Sequence, residues 1–126
     1  MNFGTVNRVL LFGGGQMLYA TARFLAEWGK ETHVISSARH AGAPVEVAEG
    51  EFISLDQAIR ALGVAFGTAA DIAKDEAVLA LAGPRVLGLS ISAEWIFKRD
   101  LINRFGCGLL NIHGTALPLF GGGGGA

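Results

Sequence analysis

Short apolar runs alternate along this chain with stretches in which apolar residues recur every three or four positions. The first kind fits strands covered on both faces, the second helices with one core-facing stripe. Val6–Phe12 reads as a strand and Gln16–Trp28 as an amphipathic helix, with Gly29 where a C′ glycine would sit. Thr32–Ser36 is the next strand. Residues 38–51 are irregular, although Val45 and Val47 suit a short edge strand. Ser54-Leu-Asp-Gln57 has the form of a capping box, in which hydroxyl and amide satisfy free backbone N–H groups at a helix start. That helix runs to Leu62-Gly63, and Val64–Phe66 suits a short strand. Asp71 is placed to cap a helix from Ile72 to Ala82, stopped by Gly83-Pro84. Arg85–Ile91 is a strand, Phe97–Phe105 a helix closed by Gly106, and Gly108–Ile112 the final strand.

Each of the four predicted helices ends in glycine and leads to an apolar run. Repeated β-α-β units imply a parallel sheet with helices on both faces. The expected fold is therefore α/β: a doubly wound, mostly parallel, Rossmann-like sheet. In such folds ligands bind outside the carboxyl ends of the strands. That rule places Gly13–Gln16, Ser37–His40, Ser92–Trp95 and Asn111–His113 on one rim.

At 126 residues the chain is one domain at most. A mean hydropathy of +0.43 is high for a soluble protein, yet no apolar stretch approaches the roughly 20 residues of a membrane span. The excess sits in the short buried runs instead. A net charge of −1 gives no electrostatic footprint for nucleic acid. One cysteine, Cys107, excludes an internal disulfide framework, and no signal-peptide pattern opens the chain, so a cytoplasmic domain is expected. Residues 1–119 form the expected α/β domain. Residues 120–126 are a glycine-rich tail that cannot pack a core.

Candidate chemistry gathers on the predicted rim. Gly13-Gly14-Gly15-Gln16 opens a helix after the first strand, where backbone N–H groups and the helix dipole favour an anion. A tight turn alone accounts for the glycines equally well. The dinucleotide fingerprint fails at Leu18, and no acidic residue closes the second strand to hold a ribose. Arg39 suits a phosphate, including the 2′-phosphate of NADP, so an NADP-binding domain of an oxidoreductase stands as an alternative function. His33 falls within a strand and reads as structural, whereas His40 is an undecided loop residue on the rim. Cys107, between two glycines with no metal-ligand spacing, reads as a packing residue. Metal ligation is not expected. Trp95 and Phe97 line an apolar slot, cap the core edge, or do both. No G-x-S-x-G elbow is present, which argues against a serine hydrolase.

Leu109-Leu-Asn-Ile-His-Gly-Thr-Ala-Leu-Pro118 is the most informative segment. Side chains two apart on a strand share a face, so Asn111 and His113 would project an amide and an imidazole into one cleft. That pair can bind a developing oxyanion and move a proton, as acyl transfer requires.

This segment resembles the signature of the folate-dependent formyltransferases, a family that includes glycinamide ribonucleotide transformylase, methionyl-tRNA formyltransferase and the sugar N-formyltransferases. Asn-x-His-x-Ser-x-Leu-Pro is matched at Asn111, His113, Thr115, Leu117 and Pro118, with Thr for Ser. Residues 86–118 carry the specific likeness. The resemblance implies transfer of a formyl group from 10-formyltetrahydrofolate to a small-molecule or nucleotide-linked amine acceptor. Trp95, Ile96, Phe97 and Ile102 would hold the pteridine, and Asn111 and His113 would be catalytic. Gly14, Gly15, Gln16 and Arg39 would suit a phosphorylated acceptor. The family also uses an aspartate beyond the Leu-Pro loop, and this chain ends before one. It therefore looks like the N-terminal part of a formyltransferase domain, expected to be inactive without the remainder. A non-catalytic folate- or nucleotide-binding domain is a further alternative.

Overall fold

The structure, a computed structural model, describes residues 5–112. His113, Thr115, Leu117, Pro118 and the tail at 120–126 lie outside the described residues. Five parallel strands form the main sheet: β1 (Arg8–Gly13), β2 (Thr32–Ser36), β5 (Ala65–Thr68), β6 (Val86–Ile91) and β7 (Leu109–Ile112). Their order is β5-β2-β1-β6-β7, and every neighbouring pair is parallel. Strands β3 (Pro44–Ala48) and β4 (Glu51–Ser54) make a separate antiparallel hairpin. Helices α1 (Gly15–Glu27), α2 (Ala38–Gly42), α3 (Leu55–Ala61), α4 (Glu76–Leu81) and α5 (Arg99–Ile102) connect them.

The apolar runs become the central strands because both faces of the sheet are covered. Leu10, Leu11 and Phe12 are all fully buried, and their alternation divides them between two cores. Val9, Leu11 and Val34 pack with Leu18 and Ala22 of α1 and Leu55, Ala58 and Ile59 of α3. Leu10, Phe12 and Ile35 pack on the opposite face with Ile72, Val78 of α4, Leu101 of α5 and Phe105. This is the Rossmann-like α/β arrangement expected from the sequence.

Four local expectations are corrected. The irregular stretch 38–51 holds a short helix and most of a hairpin, which packs against α1 and α3 rather than extending the main sheet. Ser54 precedes α3, but its hydroxyl donates to Asp56 Oδ1 at 2.5 Å and caps no backbone N–H. Asp56 Oδ1 itself accepts from the Gln57 N–H at 2.8 Å. A hydroxyl bound to a carboxylate is held about twice as strongly as one in a neutral pair, so the capping box is displaced. The helix expected from Ile72 begins only at Glu76, capped by Asp75 through the Val78 N–H at 3.1 Å. Finally, α5 covers Arg99–Ile102 alone, because Phe97 turns back onto Phe12.

Candidate functional site

The sheet order reverses between β1 and β6. The chain leaves β1 for β2 on one side and reaches β6 on the other, so a crevice opens above the carboxyl ends of this pair. Gly13 lies beside Ile91 in that register. A Cβ on Gly13 would fall 1.8 Å from Ile91 O, and its φ is +131°, so only glycine lets the two loops part this closely. Ser36 Oγ, fully buried, donates to Gly13 O at 2.7 Å and fixes the end of β2 against the same turn.

Register also explains where Asn111 points. Gly67, Ile35, Phe12, Ser90 and Asn111 form one row across five strands. Residues level with one another in a parallel sheet face the same side. Asn111 therefore shares the face of Phe12, whose ring meets Trp95, Phe97 and Phe105 edge-on at centroid distances of 6.4, 5.3 and 5.9 Å. Beyond β6, Ser92 takes a left-handed backbone (φ 58°), and from there the chain bends through Glu94 and Trp95 with alternate residues turned inward. Ala93, Trp95 and Phe97 pack against the core on this face; Ile96 between them is 84% exposed. Trp95 Nε1 donates to Ala70 O at 3.2 Å, so its polar atom is engaged and its ring remains as a wall.

These elements line a half-open cavity of about 730 Å³. Trp95, Ile96, Phe97, Ile102 and Asn111 all line it, and Ser90 and Ser92 add hydroxyl-bearing side chains. The sequence-predicted donor residues and one of the two predicted catalytic residues are thus brought to one place. The other, His113, lies outside the described residues.

The predicted acceptor residues are more dispersed in what they do. Gly14 precedes α1 and is covered by the His40 ring, with a Cβ there falling 2.3 Å from His40 Cγ. Gly15 has φ +89° and open space around it. Gln16 is occupied elsewhere: its amide donates to Glu46 O and accepts from Glu46 N, both at 2.8 Å, clasping the β3 backbone to α1. Arg39 is ion-paired with Glu94 across the crevice mouth and sits 3.4 Å from His40 Nε2. With side chains 72% and 36% exposed, that ion pair is worth about 0–1 kcal/mol. His40 Nδ1 is buried without a partner among the described residues. The sequence set Glu94 on the rim and Ser90 in the strand before it without giving either a partner, and the fold supplies both. Ser90 was legible as one residue of a buried strand, but only the β6–β7 register sets it beside Asn111.

Among the described residues, no group of three His, Cys, Asp or Glu side chains is placed to hold a metal ion. No described helix is long and apolar enough to cross a membrane. No model of a known family matches the chain, and no curated protein matches it either.

Proposed function

We propose that this chain carries the donor site of a folate-dependent formyltransferase, which moves a formyl group from 10-formyltetrahydrofolate to an amine. The observation that carries the reading is the meeting of Asn111 with Trp95, Ile96, Phe97 and Ile102 around one cavity. About 730 Å³ falls in the range of roughly 300–1,000 Å³ typical of small-molecule sites. An apolar wall with a few convergent polar groups suits a flat bicyclic ring system, with Ile96 at the entrance able to fold over it.

The donor, when bound, supplies an activated one-carbon acyl group. Asn111 donates its amide N–H to the formyl oxygen as negative charge builds there, an interaction whose loss typically costs about 10²–10³ in rate. His113, which follows on the chain, takes the proton lost by the attacking amine and passes it to N10 of the donor as the formyl C–N10 bond breaks and tetrahydrofolate leaves.

Binding is the decisive measurement. A tetrahydrofolate analogue and NADPH are titrated separately into the full chain. The expected outcome is micromolar affinity for the folate and none for NADPH, with the folate affinity reduced about tenfold by Ile96→Asp, roughly the 1–2 kcal/mol of one lost apolar contact. Binding of NADPH without folate would replace this reading with the nucleotide-binding one.

A further inference from the structure

The core-facing side of α1 is carried by Leu18, Tyr19, Ala22, Leu25 and Ala26. A second apolar stripe runs along its outer side: Met17, Ala20, Phe24 and Trp28. At 3.6 residues per turn these four fall within an arc of roughly 80°, turned away from the core stripe. Met17 is 42% exposed, Phe24 52% and Trp28 74%. Phe24 and Trp28 stack on each other at a centroid distance of 5.3 Å, so they form one preassembled aromatic patch. A helix with polar residues outside needs only one stripe, and a second marks a surface that another body covers.

Charge along the stripe selects the partner. Its border carries Arg23 and Glu27 one turn apart, 54% and 64% exposed, which pair with each other along the helix (Nε–Oε2 3.5 Å) and exchange partners when a second copy docks. When two α1 helices approach antiparallel about a two-fold axis near residues 25–26, Arg23 of each copy faces the second copy's Glu27. The same axis sets each Phe24 against the second copy's Trp28. One face thus satisfies itself twice over, which is the requirement of an isologous contact. We propose that α1 is a homodimerisation surface and that its occupant is a second copy of this chain.

The three large apolar side chains leave on the order of 350 Å² uncovered, against about 800 Å² per partner in a standard interface. Phe52, 60% exposed and level with Glu46 on the adjoining hairpin, extends the surface. The dimer is accordingly reversible, with a Kd in the micromolar range. The stripe lies on the face of the sheet opposite the Asn111 cavity, so the proposal stands independently of the formyltransferase reading.

Sedimentation velocity of the full chain from about 1 to about 500 µM tests it, spanning the Kd expected for a contact of this size. A concentration-dependent monomer–dimer equilibrium is expected, weakened about 30-fold or more by Trp28→Ala, as for an aromatic anchor. Arg23→Glu and Glu27→Arg should each weaken it, since each sets like charges face to face. An equimolar mixture of those two variants should dimerise again, because one then carries two acids and the other two bases along the stripe. Circular dichroism of these exposed-site variants confirms their folding. A chain that stays monomeric throughout overturns the proposal. So does a dimer that ignores Trp28→Ala, or one that the variant mixture fails to restore.

Discussion

Single side chains hold the amino-terminal edge of the sheet together. Arg8 Nε donates to Glu31 Oε2 at 2.6 Å, His33 Nε2 lies 3.0 Å from the same oxygen, and Arg8 Nη1 donates to Leu81 O at the end of α4. Hydrogen bonds from Arg8 and then His33 hold the Glu31 carboxyl below its ordinary value of 4.5. A carboxyl depressed by folding stabilises the fold above its unfolded pKa, and that contribution fades as pH falls through the folded one. Glu31→Gln should therefore lower the Tm at pH 7, and the deficit should shrink progressively below about pH 4.5, towards nothing in strong acid. Melting curves at pH 7 and pH 3 check this; an equal deficit at both would place the effect in packing. At this scale the sequence was informative for Asn111, whose neighbours on the strand fixed its face. It set Gln16 on the rim beside an acceptor but held no sign that a backbone 30 residues away claims its amide.

Elements were legible where apolar period and burial agree. Thr32–Ser36 and the helix after Gly14 appear almost as expected, since one buried stripe or run fixes each. The misplaced start of α4 shows the limit. Ile72 and Val78 are both 2% exposed, yet six residues apart on one helix they would point about 120° away from each other. Breaking the chain at 71–75 lets both enter the same core, so Asp71 closes a turn through the Ala73 N–H while Asp75 takes the cap. Asp75→Ala should then cost about 1 kcal/mol, and Asp71→Ala clearly less, in urea unfolding. The reverse ranking would restore the longer helix. Another aspartate, Asp56, took over the Ser54 cap through a stronger charged hydrogen bond, a competition between neighbours that motif spacing does not weigh.

Across the whole molecule, Phe12 joins the core to the cavity. Fully buried in β1, it supports Trp95 and Phe97, two walls of the space beside Asn111. Phe12→Leu keeps an apolar side chain but removes the edge-on ring contacts. It should cost about 1–3 kcal/mol by leaving space under both rings, and it should shift the Trp95 emission in a Trp28→Phe background. An unchanged spectrum at reduced stability would mean the cavity wall stands without this support. Gly106 closes the same core differently: its N–H donates to Gly83 O, and a Cβ there would fall 1.8 Å from Pro84 O. The sequence suggested a helix stop at Gly106; the tertiary fold requires a close backbone crossing.

By itself the sequence determined the parallel α/β architecture, because runs apolar on both faces exclude a half-solvated sheet and glycines punctuate each crossover. It also marked Asn111 and the Ser92–Trp95 segment as neighbours on one rim. Only the tertiary structure decided that they share one cavity, since that depends on the β6–β7 register and on Phe12 drawing the loop inward. It alone decided which polar groups are occupied, Gln16 by the β3 backbone and Arg39 by Glu94. Periodicity records which way a side chain faces, but a hydrogen bond depends on what the fold brings opposite it.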